Sequence, residues 1–363
     1  MTSYHYEPLL PPLHQVRLLE LLPLREKFTL QESILKSSTC LSIVQLSSPI
    51  FCRLHVLSLH EAPSYIALSY AWCQGGGRRN ITVDNVRVPV TANLDQALRH
   101  LRSQDEPIML WADALCINQE DVVEKSEQVQ RMKEIYERAT EVVAWLGPGG
   151  EGSDEAMEWI RAFGSKAREL RIGSTPALQL RSRRNGVSVV SSLHSLLRRP
   201  YWERAWVVQE VTVAGSISFA CGTKSVPEES LHYALRLIRN YRLYFLLHGG
   251  AENKALLEIN PSTAIDLLKV RRTKEISPLI YLIRRLSRFK STDPRDKVLA
   301  FLGISEDSED LGILSDYSKS TEHVFIQTAR ALICKGLYEI LSMNNSYKRH
   351  GNLPSWVPDW SNP

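Results

Sequence analysis

Little in this sequence supports stapling by disulfides or metals. Its six cysteines, Cys40, Cys52, Cys73, Cys116, Cys221 and Cys334, form no short pair, which argues against a disulfide framework or zinc ribbon and for a reducing compartment. His55 and His60 have no Cys/His partner at zinc-ligand spacing, so no metal is expected. A long hydrophobic run is also missing. The greasiest stretch, Leu231 to His248, carries Arg236, Arg239 and Arg242, which are costly in a bilayer, and no membrane span is predicted. The amino terminus, with His5 and Glu7 before a Leu/Pro run, lacks the basic start and unbroken apolar core of a signal peptide, so a cytoplasmic location is expected. What is there is a globular composition of 44% hydrophobic, 23% charged and 8% aromatic residues, which excludes disordered, collagenous and coiled-coil classes. At 363 residues the chain has room for two domains, or one with a large appended lobe.

No single sign of charge dominates, since the formal net charge is +4, yet the charge is unevenly placed. Residues 161–300 hold 25 Lys/Arg against 11 Asp/Glu, leaving 19 against 29 elsewhere. A basic middle could attract nucleic acid, nucleotides or an acidic protein surface. Arg183-Arg184, Arg198-Arg199, Arg271-Arg272 and Arg284-Arg285 are scattered along helical patterns without a recognition motif, so a solvated or self-paired face is expected and nucleic acid is not.

Val16–Leu22 is an apolar run that predicts a strand. Tyr65–Tyr70 reads as a buried strand opening into the Gly75-Gly76-Gly77 loop, which lacks the Gly-Lys-Ser/Thr ending and following helix of a phosphate cradle. Ile81–Val83 and Val86–Val88 flank Asp84-Asn85, two residues that tolerate positive φ, and predict a hairpin. Thr91 and Asn93 offer caps for a helix that faces inward through Leu94, Ala97, Leu98 and Leu101. A strand over 108–114, a helix over 126–139 and a strand over 142–146 complete an alternation that implies a mostly parallel sheet with covering helices. Beyond Gly147-Pro148-Gly149-Gly150 the periodicity turns helical, Ile217–Ala220 excepted, and 171–187 reads as a surface loop. Asp293 and Pro294 read as the cap and first residue of another helix. The expected organisation is a lead-in over 1–61, an α/β core over 62–150 and a mainly helical lobe over 151–363 that ends in a Trp/Pro strap.

Ligands of open α/β sheets bind beyond the carboxyl ends of the strands. Ser69, Tyr70 and Trp72 follow one such strand; Asp113 and Gln119 follow another, before the helix that carries Glu124. Ser69, Asp113 and Glu124 are therefore expected in one cleft, where carboxylates could transfer protons or stabilise positive charge. The same residues also suit plain structural work: Asp113 as a turn cap, Gln119 on backbone groups, Glu124 on the helix dipole, Tyr70 and Trp72 as loop anchors. Cys116, among Ala114, Leu115 and Ile117, reads as a buried inert thiol.

The runs Tyr65-Ile-Ala-Leu-Ser-Tyr-Ala-Trp72, Leu110-Trp-Ala-Asp-Ala-Leu-Cys-Ile-Asn-Gln119, Glu124-Lys-Ser-Glu-Gln-Val129 and Trp145-Leu-Gly147, with Trp206-Val-Val-Gln-Glu210, Asp293-Pro-Arg-Asp-Lys297 and Leu353-Pro-Ser-Trp-Val-Pro-Asp-Trp360, resemble the heterokaryon incompatibility (HET) domain of filamentous fungi. Cys73 stands where that family usually has Gly, and Lys125 where it usually has Arg. The resemblance implies a nonself-recognition effector that triggers cell death, with a TIR-like, flavodoxin-like fold. By analogy with TIR domains it implies cleavage of the glycosidic bond of NAD, a substrate rather than a cofactor. Glu124 would then be the catalytic carboxylate with Asp113 assisting, and Ser69, Tyr70, Trp72 and Gln119 would hold the ligand. The alternative it allows is a non-catalytic signalling or scaffold module acting through self-association and protein partners.

Overall fold

The computed structural model describes residues 4–10, 13–24, 47–72, 76–150, 152–169, 183–184, 187–248, 257–273, 277–343 and 350–361. These fall into two compact units through which the chain passes more than once. The first comprises Met1–Asn118, Ala139–Pro200 and Gly215–Pro261; the second comprises Gln119–Arg138, Tyr201–Ala214 and Ser262–Pro363.

The first unit is built on one nine-stranded sheet. Its strands are β1 (Gln15–Leu21), β2 (Phe51–Ser58), β3 (Ile66–Tyr70), β4 (Arg78–Val83), β5 (Val86–Thr91), β6 (Ile108–Trp111), β7 (Glu141–Trp145), β10 (Ile217–Cys221) and β11 (Lys224–Pro227). Two further short strands, β8 (Arg183–Arg184) and β9 (Val187–Ser188), pair only with each other. The sheet order is β11-β10-β7-β3-β6-β1-β2-β4-β5. Strands β10, β7, β3 and β6 run parallel, as the strand-helix alternation predicts. β2 and β4 are parallel as well, whereas β1 is antiparallel to both β6 and β2, β4 to β5, and β10 to β11, so the sheet is mixed. The reason lies in the connections, because β4–β5 and β10–β11 are joined by tight turns, which reverse the chain, whereas a parallel neighbour needs a long crossover.

Local chemistry explains the elements that position the site. Asp84 and Asn85 adopt φ values of 48° and 66° at the β4–β5 turn, as foreseen for two residues that tolerate the left-handed region. The Thr91 hydroxyl accepts from the Leu94 amide and caps the helix Ala92–Leu101. Asp121, unmarked in the sequence reading, caps the helix Val122–Arg138 of the second unit by accepting from the amides of Val123 and Glu124, each at 3.0 Å. The parallel strands are buried along most of their length: Ala67, Leu68, Ser69 and Tyr70 of β3 and Val142, Val143, Ala144 and Trp145 of β7 all belong to the core.

The helix at 126–139 starts earlier than its apolar pattern indicated, at Val122. The helix expected from Asp293 starts instead at Asp296, with Asp293 accepting from the Arg295 amide in the preceding turn. Cys73 and most of 171–187 lie outside the described residues.

Helix Ser153–Glu169 packs against helix Glu228–His248 within the first unit. A Cβ on Gly164 would stand 2.1 Å from the Ser230 carbonyl oxygen, so the two backbones touch there. In an open helix Gly→Ala stabilises by roughly 0.5–1 kcal/mol. Here Gly164→Ala is expected to destabilise by about 1–3 kcal/mol through overpacking, lowering the thermal midpoint; a raised midpoint would show that the helices are not in contact.

Candidate functional site

The four parallel strands lie in the order β6-β3-β7-β10, while the chain visits β3, β6, β7 and then β10. From β3 the chain moves to one side, crosses back over, and continues on the other, so the direction of winding switches between β3 and β7. That is where ligands settle in doubly wound sheets, just past the carboxyl ends of the strands.

Ser69 and Tyr70, at the end of β3, are 0% and 1% exposed and form part of the core. Trp72, two residues on, is 40% exposed. Its indole N–H faces both carboxylate oxygens of Asp113, at 3.0 and 2.9 Å. Asp113 opens the short helix Asp113–Cys116 immediately after β6, is 7% exposed, and also accepts from the Ala114 amide at 2.8 Å. Its carboxylate therefore fixes the Trp72 indole and the turn after β6 at once. An aromatic surface is thereby presented to solvent at a set angle, since a charge-assisted bond of this kind is stronger than a neutral one.

Asn93 spans the switch point. Its amide nitrogen donates to the Ala71 carbonyl at 2.8 Å and its amide oxygen accepts from the Trp145 indole at 3.0 Å, tying the end of β3 to the end of β7. In the sequence Asn93 reads, with Thr91, as a candidate helix cap, because nothing in its local pattern marks a partner 52 residues away. Gly147, with φ of 116°, follows β7. Arg199 donates to the Leu146 carbonyl at 3.1 Å, closing the same edge. Cys116 is fully buried, and burial pushes its thiol up to about 12, in keeping with an inert residue. Among the described residues no group of three His, Cys, Asp or Glu side chains could hold a metal ion.

Gln119 and Glu124 belong to the second unit. Glu124 lies in the first turn of Val122–Arg138 and is 8% exposed, so it is not the solvated first-turn carboxylate that the helix dipole alone would favour. The same helix supports a charged cluster around Asp293 and Arg295, part of the run Asp293–Lys297. Lys125 places its ammonium 4.6 Å from the centre of the Tyr317 ring, and the Arg295 guanidinium lies 4.9 Å from that centre. Ser126 accepts from the Tyr317 amide, and Gln130 donates to the Ser315 carbonyl. Arg295 grips Asp293 with two N–H groups and donates to the carbonyls of Tyr317 and Lys319. The contact made by Lys125 needs a cation over a ring, which an ammonium supplies without the planar fork of Arg. A cavity of about 460 Å³ in this unit is lined by Ser277, Tyr281, Leu282, Arg284 and Arg285, none of them a predicted site residue.

Tyr317 donates its hydroxyl to Asp296 at 2.6 Å. Burial pushes the Asp296 carboxyl up from 3.8 to about 6, with repulsion from Asp293 adding to it and hydrogen bonds from Tyr317 and Trp206 and the charge of Arg204 opposing it. Asp293 is held below its ordinary value: burial acts upward, but the hydrogen bonds and charge of Arg295 prevail.

Two measurements follow. Asn93→Ala strips partners from a buried indole N–H and a strand-end carbonyl, and is expected to cost about 2 kcal/mol in chemical denaturation; a loss under about 0.5 kcal/mol would mean the bridge is not a strut. The folded protein holds the Asp296 proton more tightly than the unfolded chain does. Its contribution is thus fully present below pH 3.8 and is lost as pH rises through 6. Denaturation of the parent and of Asp296→Asn at each pH should give a difference that moves against the parent over this window, by at most about 1.4 kcal/mol per pH unit. A flat difference would show the carboxyl to be solvated. Groups common to both proteins cancel.

Residues 65–210 match the family described as Heterokaryon incompatibility protein (HET). Over 376 aligned positions the chain is 31% identical to Heterokaryon incompatibility protein 6, OR allele, of Neurospora crassa, an alignment covering 86% of this chain and 55% of that protein. The chain thus spans about half the length of this curated relative. No solved structure matches it. Both β3 with Trp72 and the Trp206–Glu210 run lie inside the matched segment, and the chain belongs to the heterokaryon incompatibility (HET) family.

Proposed function

We propose that this chain is an effector of fungal nonself recognition that triggers cell death when incompatible strains meet, and that it kills by cleaving the glycosidic bond of NAD or a related nucleotide in the cytoplasm. The observation that supports the reading is the strand order β6-β3-β7-β10, whose winding changes direction beside β3 as in doubly wound sheets that bind nucleotides beyond their strand ends, with Trp72 and Asp113 just past the ends of β3 and β6. Among the described residues no helix is long and apolar enough to cross a membrane.

In this reading Trp72 is the exposed ring available to stack on a nicotinamide or adenine. Asp113 holds that ring. Ser69 and Tyr70 shape the edge from beneath, and Gln119 contributes to holding the ligand. Glu124 is the carboxylate that stabilises the oxocarbenium-like transition state, in which the bond between the ribose and the leaving base breaks with its electrons departing on the base, and water completes the hydrolysis. NAD enters as a substrate and no resident cofactor is invoked.

A second reading has its own observation. Leu243, Leu246 and Leu247, at helical spacing near the end of Glu228–His248, are 54%, 64% and 71% exposed. Such a patch suits a module that acts by self-association or by binding a protein partner without catalysis.

Glu124→Gln separates the two. The side chains are isosteric, so the folded variant should melt within a few degrees of the parent. If Glu124 stabilises developing positive charge, NAD consumption should fall a hundredfold or more, about 2.7 kcal/mol of barrier, and killing in a fungal host should be lost. A folded variant that kills as well as the parent would reject the catalytic role and leave the assembly reading.

A further inference from the structure

We infer that the edge between β3 and β7 is a binding site for the pyrophosphate of a soluble nucleotide, with Arg199 as its cation and Trp72 as the platform for the base. This deepens the proposed nucleotide chemistry and rests on it, but it concerns binding alone.

Arg199 is placed by the segment after helix Val189–Leu197, and one of its N–H groups is spent on the Leu146 carbonyl. Among the described residues it has no other side-chain hydrogen bond and no ion pair. Tethering at one nitrogen orients the planar fork and leaves its other donors available, which suits two phosphate oxygens better than a free side chain would. The nearby carboxylate of Asp154 faces Gly149, 3.8 Å from where a Cβ would be, and makes no ion pair with Arg199.

Gly147 fixes the relation between the cation and the bridge across the switch point. A Cβ at this position would stand 2.9 Å from the Arg199 guanidinium and 3.9 Å from the Asn93 amide oxygen, so both groups flank one glycine. Asn93 in turn holds the Ala71 carbonyl, and Trp72 is the next residue. A cation packed over a glycine and, through Asn93 and Ala71, an exposed indole therefore lie along one edge. These are the groups that recognise a phosphate chain attached to an aromatic base. The Gly75-Gly76-Gly77 loop lacks the lysine and helix of a phosphate cradle, so a positive charge from elsewhere in the fold is what such a ligand would require.

Titration calorimetry with ADP, inorganic pyrophosphate and adenosine tests the assignment. ADP lacks nicotinamide, so its binding is read without the proposed cleavage. The parent should bind ADP more tightly than pyrophosphate, and adenosine weakest. Arg199→Gln should weaken ADP and pyrophosphate tenfold or more, while Arg199→Lys, which keeps the charge but loses the planar fork, should recover only part of the affinity. Trp72→Leu should bring ADP down to the level of pyrophosphate, and Trp72→Phe should not. Thermal melting identifies any variant that has lost its fold, and the Lys and Phe forms then carry the comparison. No saturable binding by the parent at millimolar ADP, equal affinity in folded Arg199→Gln, or pyrophosphate binding tighter than ADP would each overturn the inference. ADP binding that depends on Arg199, together with killing that survives Glu124→Gln, would uphold this site and reject the cleavage reading.

Discussion

A sheet buried on both faces confines its polar chemistry to the ends of its strands. In β3 and β7 successive side chains point to opposite faces and nearly all are excluded from water, so an alternating polar side chain has nowhere to meet solvent. The change of winding direction between β3 and β7 then opens one edge, where the Asn93, Gly147 and Arg199 contacts gather, with the Trp72–Asp113 contact beside it at the ends of β3 and β6. Two of them finish strands whose carbonyls would otherwise end unpaired, Asn93 on Ala71 and Arg199 on Leu146, while Asp113 holds the indole that follows β3.

The same logic governs the buried charge within the first unit. Arg17 sits in the middle of β1 at 1% exposure, between Val16 and Leu18, and gives its N–H groups to the carbonyls of Cys116 and Glu7 while lying over the Tyr6 ring. Burying a guanidinium costs several kcal/mol unless its donors are met. Here carbonyl oxygens take its two terminal nitrogens and a ring face covers the guanidinium, which links β1 to the short helix after β6 and to the segment that leads into β1.

The second unit solves a different problem. Its segment 315–319 is irregular, and an irregular segment must find partners for its own backbone. Arg295 accepts that duty for the carbonyls of Tyr317 and Lys319, Gln130 for that of Ser315, and Ser126 for the Tyr317 amide. The Tyr317 ring is then held under two cations while its hydroxyl reaches a carboxyl that burial keeps partly protonated near pH 6. Electrostatics in this unit serves to pin a loop along the helix that carries Glu124.

How much could be read from residues alone follows the range of each interaction. The β4–β5 turn, the Thr91 cap, the parallel strands and the inertness of Cys116 depend on neighbours a few positions away, or on composition, and the sequence by itself determined them. It also determined family membership, because the linked motifs from Tyr65 to Trp360 keep their order whatever the fold. The placement of Trp72 and Asp113 at strand ends was legible, whereas their mutual hydrogen bond was not. Only the tertiary structure decided that β1 and β2 extend the sheet, that its outermost pairs are antiparallel, that Ser69 and Tyr70 are sealed in the core, and which partners Asn93, Arg199 and Asp296 find. These outcomes rest on partners tens of residues apart, whose meeting depends on strand order and burial, and neither quantity is carried by any local pattern of residues.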